Sequence, residues 1–373
     1  MDILKLRFHL VALGTGLSSA LSIPILSRFL ATELQVQSWE IGTFYSINAL
    51  SSITISLLLA YYSDRINHRK PLLIFCIAML MFNAFLFIFC RNYILLITLG
   101  SLLSACGSAT IPQLFALAKL TYCDAQFSAI LRAQFSFAWV VGPPLAYWLI
   151  KQSGFSTLYT VITAVMFIVL LLSTRLPSSL SLPSNTVGLP GYTQPPHNLC
   201  YLMMSTLLIW TCSALYLIAF PLHLDSQPSL TSDWVGVLYA VAAGLEIPAM
   251  LFSAKLLRFF GKKCQMQIAM LCGIIFYAGV LLSQNFYSLL VLQIFNAFFI
   301  AVSATIGLFW FQDLLKNSQG LAATLYTNAV SVGILIAGVM QSLFTHITPL
   351  AIWPVACALL TLSFIFISKT NDA

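Results

Sequence analysis

Apolar residues run through this chain in long unbroken stretches, separated by short clusters of charge, Pro, Gly or Asn. The stretches fall at approximately 8–30, 41–62, 72–90, 94–118, 130–150, 156–176, 199–222, 233–254, 265–283, 287–313, 321–345 and 348–368. A helix needs about 20 apolar residues to cross the hydrocarbon of a bilayer, and twelve such spans would use about 240 residues, leaving about 130 for connections. The pattern therefore predicts an all-α integral membrane protein with twelve transmembrane helices and short loops. Between the sixth and seventh stretches, Pro177, Pro183, Pro190, Pro195 and Pro196 stand among Ser and Gly with no Asp, Glu, Lys or Arg. That composition reads as a flexible connection. It divides the chain into an N-terminal six-helix half, 1–176, a central loop, 177–198, and a C-terminal six-helix half, 199–373.

Composition closes off the alternatives. Of 373 residues, 60% are hydrophobic and 7% charged, with a mean hydropathy of +0.94. Soluble domains carry about 25% charged residues, so a water-soluble globule is excluded. The first stretch follows Lys5 and Arg7 and is longer than the apolar region of a cleavable leader, which makes it a retained first span. Nine Cys occur without a Cys-x-x-Cys pair or a His-rich neighbour, so neither a metal site nor a disulfide framework is expected and no cofactor is implied.

The net charge of +7 matters through its location. With both termini in the cytoplasm, alternate connections place fourteen Lys and Arg on the inner side and only Arg28, Arg91 and Lys151 on the outer. Basic residues accumulate on the cytoplasmic side of membrane proteins, so this asymmetry sets the orientation and removes the need for a nucleic-acid partner. Trp39, Trp148, Trp234 and Trp353 all fall near the outer ends of spans, where an indole suits the headgroup level.

The halves repeat one another. Trp39-Glu-Ile-Gly42-Thr-Phe-Tyr45 answers Asp233-Trp-Val-Gly236-Val-Leu-Tyr239 in a register of 194 residues that also pairs Ala49 with Ala243, Ile53 with Ile247 and Ala60 with Ala254. Ser108-Ala-Thr-Ile111 recurs as Ser303-Ala-Thr-Ile306, a shift of 195. Two six-span halves in a parallel repeat resemble the major facilitator transporters, and the resemblance implies a substrate site near the bilayer midplane between the halves.

Motifs at the helix ends extend that resemblance. Ala60-Tyr-Tyr-Ser-Asp64-Arg65-Ile-Asn67-His68-Arg69-Lys70 is similar to the major facilitator signature Gly-x-x-x-Asp-Arg-x-Gly-Arg-Arg, with Ala60, Asn67 and His68 departing from it. A carboxylate at a helix end can pair with basic neighbours and with the positive end of a facing helix, so Asp64, Arg65 and Arg69 are candidate gating residues. The second half carries Arg258 where the first has Asp64. Both loops can also be read as topogenic charge alone. In the fifth span, Gly142-Pro143-Pro144 resembles the antiporter signature with three of its glycines replaced. Gly142 and Pro143 would let the span bend and a neighbour approach, as gating elements or as an ordinary kink.

Glu246, about thirteen residues into the eighth span, lies roughly 20 Å from the outer surface. An acid within the membrane is a functional-site hypothesis by default, and its roles here are proton coupling, sugar binding or an ion pair with Arg132. Uncharged polar groups within spans include Asn48, Gln113, Gln134, Asn296 and Asn328, any of which can instead join helices. Trp139 and Trp210 sit near mid-span. A pyranose offers an apolar face to an aromatic ring and hydroxyls to amides and carboxylates, so the set suits a sugar; core packing is the other reading of both indoles.

Pro112-Gln-Leu-Phe-Ala-Leu-Ala118, Arg132-Ala-Gln134 through Trp139 to Pro144, Ala243-Gly-Leu-Glu246-Ile-Pro248 and Trp310-Phe-Gln-Asp313-Leu314 resemble the bacterial SET-family sugar efflux transporters. The resemblance implies a monomer in the bacterial inner membrane, surrounded by lipid, that exports sugars or glycosides by proton antiport and alternating access. From the chemistry and mid-span positions of their side chains, substrate binding is expected at Asn48, Gln113, Arg132, Gln134, Trp139, Trp210, Glu246, Asn296 and Asn328, with Glu246 coupling protons. A multidrug exporter is the alternative. No nucleotide-binding loop, His-Glu-x-x-His or Gly-x-Ser-x-Gly occurs, and the five His lie near interfaces or loops, so an enzyme is not expected.

Overall fold

The computed structural model describes residues 3–63, 69–122, 125–177, 197–227, 233–257, 259–315, 319–344 and 349–370. The first span is α1 (Ile3–Ser22), a single 3-10 turn with Pro24 at its start, and α2 (Leu26–Thr32). Proline fits there because the first N–H groups of a helical segment have no intrahelical acceptor to lose. The second and third spans are α3 (Ser38–Ser63) and α4 (Arg69–Phe89). The fourth is broken into α5 (Tyr93–Leu95), a π-helical turn Leu96–Gly100, α6 (Ser101–Gly107) and α7 (Thr110–Tyr122).

The fifth and sixth spans form one assignment, α8 (Ala125–Thr174), interrupted at Gly154, whose φ of 79° and ψ of 176° belong to neither helix. The remaining spans are α9 (His197–Asp225), α10 (Asp233–Leu256), α11 (Lys262–Leu282), α12 (Phe286–Leu314), α13 (Gln319–Phe344) and α14 (Ile352–Lys369). Among the described residues ten helical stretches are each long and apolar enough to cross a bilayer; one of them, 133–174, runs through both the fifth and sixth spans, and α3, 26 residues long, lies at the expected second span. The expected all-α, twelve-span architecture is the observed one.

Local chemistry starts these helices. The Glu40 carboxylate accepts the Gln37 N–H at 2.7 Å, the back-reaching half of a capping box at the head of α3. Asn92 caps α5 through the Leu95 N–H at 3.1 Å, and Asn285 caps α12 through the Ser288 N–H at 2.8 Å. These caps open the fourth and tenth spans, the same place in each half.

The chain packs as two units, Met1–Val36 with Ile47–Gly188, and Gln37–Ser46 with Leu189–Ala373. In the first unit α1 packs along α8, and α4 packs on α6, α7 and α8. The second unit repeats the scheme: α9 packs along α13 and α14, and α11 lies against α12 and α14. The interior of the first holds Phe29, Phe87 and Tyr159, with Phe87 and Tyr159 centroids 4.9 Å apart. That of the second holds Tyr216, Phe276, Tyr277 and Trp353, with Tyr277 stacked on Trp353 at 6.2 Å.

Large apolar side chains also cover the outside. Phe89 is 73% exposed, Leu282 78% and Trp148 57%, an arrangement unfavourable in water and stable only where lipid replaces it. The first ten residues of the second unit show the opposite, a close helix approach. A methyl group on Gly338 of α13 would stand 2.7 Å from both the Gly42 carbonyl and the Ser46 nitrogen. Ser46 Oγ donates to the Leu335 carbonyl at 3.3 Å and Ser342 Oγ to that of Trp39 at 2.7 Å, which fixes the head of α3 on α13.

Candidate functional site

In the first unit, the residues singled out from sequence sit on α3, α7 and α8. Asn48 is half-buried and its Oδ1 accepts from Ser52 Oγ at 3.5 Å, one turn along α3. Gln113, in the first turn of α7, is buried. Gln134 has a long-range partner: His9 Nδ1 of α1 lies 3.1 Å from its Oε1, so the ring donates and the amide accepts. One turn further along α8, Trp139 is half-buried. Gly142 and Pro143 are buried, and a methyl group on Gly142 would meet the Ala20 backbone carbon at 2.9 Å, so α1 and α8 touch here through small residues. Pro143 and Pro144 lack N–H groups, which leaves the Trp139 and Val140 carbonyls without their helical donors. The side chain of Arg132 lies outside the described residues.

In the second unit, Trp210 of α9 meets Tyr326 of α13 edge-on, with centroids 6.4 Å apart at 88°, and the Tyr326 hydroxyl donates to the Ser303 carbonyl at 3.4 Å. Asn328, half a turn beyond Tyr326, is exposed. Asn296 is wholly buried on α12 and donates from Nδ2 to Gln293 Oε1 at 3.0 Å; the same oxygen accepts from the Tyr216 hydroxyl at 3.3 Å. Sequence reasoning valued Asn296 as a lone amide and missed this three-residue network, although Gln293 and Asn296 stand at helical spacing i, i+3.

The acids separate into two kinds. Glu33 pairs with Arg91 at 2.9 Å, Glu40 caps α3, and Asp313 at the end of α12 pairs with Lys262 at the start of α11. Glu246 is half-buried near the middle of α10, and among the described residues no hydrogen bond or ion pair reaches its carboxylate. Pro248, two residues on, withholds the N–H that would have bonded the Gly244 carbonyl, and the space around Gly244 is open. Among the described residues, a carboxylate with no bonding partner and a carbonyl without its helical donor thus share one stretch of α10, a polar locus inside an apolar helix. Asp64, Arg65 and Arg258 lie outside the described residues, as does the side chain of Arg69.

Residues 8–338 match the model of the Major Facilitator Superfamily. The chain is 42% identical over 344 residues to Sugar efflux transporter A of Escherichia coli (strain K12), an alignment covering 90% of this chain and 87% of the relative.

The chain belongs to the Major Facilitator Superfamily, in its sugar efflux transporter family.

A second relative, Sugar efflux transporter A of Dickeya chrysanthemi, is 38% identical over 93% of this chain and 90% of its own length. The fold agrees with membership of the superfamily: a variant of the nucleoside transporter NupG superposes with a TM-score of 0.85 at 14% identity, covering 99% of this chain and 100% of that one. A superfamily of transporters accounts for the twelve spans and the repeat in a way that no enzyme reading did.

Proposed function

We propose that this protein exports sugars or glycosides from the cytoplasm by proton antiport through alternating access. The observation that carries the reading is the 42% identity, across 90% of the chain, to a protein named as a sugar efflux transporter. The chain sits in the bacterial inner membrane as a monomer surrounded by lipid, with both termini cytoplasmic, an orientation supported by the fourteen-to-three distribution of Lys and Arg.

Substrate recognition is assigned to Asn48, Gln113, Arg132, Gln134 and Trp139 from the N-terminal half and Trp210, Glu246, Asn296 and Asn328 from the C-terminal half. The halves are 1–176 and 199–373, joined by 177–198. Aromatic faces take the C–H side of a sugar ring, and amides take its hydroxyls. Asn296 donates from Nδ2 to Gln293 and enters the set through its amide oxygen Oδ1. Glu246 couples protons. Among the described residues no ion pair holds its carboxylate, which supports this role, because a carboxylate fixed in an ion pair is already committed. Asp64, Arg65 and Arg69 latch one conformation, and Gly142 with Pro143 lets the fifth span flex. Protonation shifts the conformational balance only as far as the two states differ in affinity for the proton.

The test is efflux of preloaded radiolabelled lactose and a glucoside from proteoliposomes, with and without a proton gradient, in wild type and Glu246→Gln. Gradient-accelerated efflux that disappears in the variant, with sugar binding retained, is the expected result. Accelerated efflux that survives in Glu246→Gln removes that residue from coupling. Absence of sugar movement in wild type rejects sugar export, and lipophilic cations then become the substrates to test.

A further inference from the structure

Inside the first unit lies a cavity of about 230 Å³, bounded by α1, α3, α4, α6, α7 and α8. Its lining is rich in hydroxyls, including Ser18 and Ser22 of α1, Ser104 of α6 and Tyr159 of α8, and Asn83 of α4 adds an amide; among the described lining residues none is charged. The volume is below the range of pockets that take drug-sized ligands and would hold about seven waters at ~30 Å³ each. That size matches a ligand of monosaccharide scale.

The hydrogen-bonding bias of the walls is specific. Several lining hydroxyls already donate to their own helix: Thr15 to the Val11 carbonyl, Ser19 to that of Thr15, Ser108 to that of Ala105 and Thr110 to that of Gly107. Their oxygens can still accept. Ser18 is only 7% exposed and its Oγ has no partner, and Asn83 Oδ1 is likewise buried without one. Buried polar atoms are ordinarily satisfied, so these await a molecule that brings hydrogen-bond donors. Among the described lining residues anions find no cation, and cations find no carboxylate.

The internal repeat argues that the space is a site and not a packing fault. In the register of 194, Ser18, Ser22, Asn83 and Tyr159 correspond to Cys212, Tyr216, Tyr277 and Trp353, and in the register of 195 Ser104 corresponds to Phe299. Those second-unit residues are buried, and their rings touch, Tyr277 meeting Phe299 at 6.3 Å and Trp353 at 6.2 Å. One scaffold used twice is filled with aromatic rings in the second unit and left open and hydroxylated in the first. Voids of this size are rare in close-packed interiors.

We propose that this cavity is a binding site for a neutral, polyhydroxylated molecule of monosaccharide size, held wholly within the first unit. Ser18 and Asn83 accept hydrogen bonds from ligand hydroxyls, and the Tyr159 ring closes one wall. The inference rests on the lining and the repeat and is independent of whether the protein exports sugar.

The experiment is equilibrium binding of radiolabelled D-glucose to the full chain in lipid nanodiscs. Wild type is expected to bind saturably, with choline and inorganic phosphate failing to compete. Ser104→Phe, which installs the ring the second unit carries, should weaken binding about tenfold or more, the loss of one or two hydrogen bonds plus space. Ser18→Val should weaken it about tenfold, and Ser18→Thr, which keeps the oxygen, by less. These two milder variants keep the test open if Ser104→Phe does not fold. No saturable binding to wild type, or equal binding by wild type and the Ser18 and Ser104 variants, would each overturn the proposal, the second by assigning the bound glucose to a place outside this cavity.

Discussion

The His223 ring meets Trp353 edge-on, with centroids 5.4 Å apart and planes at 75°. At positions 194 residues earlier, Phe29 meets Tyr159 at 5.3 Å and 76°. Neither pair shares a residue type with the other, yet the contact is reproduced in distance and angle. The repeat therefore preserves helix placement and contact geometry, while the chemistry at each place diverges. Aromatic pairs favour this T-shaped arrangement because the electropositive edge of one ring faces the electronegative face of the other.

Gly154 should tolerate no side chain. At φ 79° and ψ 176° it occupies a region that only glycine adopts readily, and nothing stands within 4 Å of where a Cβ would be. Gly154→Ala is thus expected to cost about 1–3 kcal/mol from backbone strain alone. Thermal unfolding in detergent checks this, and an unchanged melting temperature would mean that the turn relaxes at no cost.

Much of this turn was legible beforehand. Lys151, Gln152, Ser153 and Gly154 interrupt the apolar pattern between two runs, and a charge, two polar residues and a glycine have no place in the hydrocarbon. The twelve spans were readable for the same reason: lipid requires continuous apolar length, and sequence records length directly. The cavity was not readable. Thr15, Ser18, Ser19 and Ser22 do recur at i, i+3, i+4 and i+7, but hydroxyls within spans usually bond their own helix, so the stripe alone carries no message. It gained one when Asn83 and Tyr159, distant in sequence, were found on the opposite walls. The partners of Glu33, Glu40 and Asp313 were hidden likewise, because Arg91 and Lys262 reach two of them only after the helices pack.

Gly338→Ala should loosen the head of α3 from α13. The added methyl would enter the space between the Gly42 carbonyl and the Ser46 nitrogen, and overpacking of this kind costs about 1–3 kcal/mol. A cysteine placed at Thr43, whose hydroxyl lies 3.3 Å from Ser342 Oγ, is expected to react faster with a maleimide in the Gly338→Ala background. Equal labelling rates would show that the contact absorbs the methyl.

The amide pair on α12 should behave as a coupled unit. Gln293→Leu strands the Asn296 amide and removes one acceptor of the Tyr216 hydroxyl, whereas Asn296→Leu leaves Gln293 bonded to Tyr216. Gln293→Leu is therefore expected to be the more damaging, at about 1–3 kcal/mol for stranded buried groups. The double variant should fall short of the sum by about 0.6 kcal/mol, the usual size of such couplings between membrane helices. Unfolding of the four proteins by denaturant closes the cycle, and strict additivity would reject the network.

Arg91 is bonded on every side. It pairs with Glu33, donates to the Phe87, Ile88 and Cys90 carbonyls and to Ser156, and lies over the Phe29 ring at 5.2 Å. None of these partners beyond its own helix end is at hand while the third span is being threaded into the bilayer, since α2 and the sixth span must come to it. Its charge is thus felt twice in the history of the molecule. Insertion machinery meets it as a bare cation, and the finished bundle meets it as a clasp over three helices. Membrane proteins are made in those two stages, helices first and contacts afterwards, so Arg91 burdens the first stage and stabilises the second.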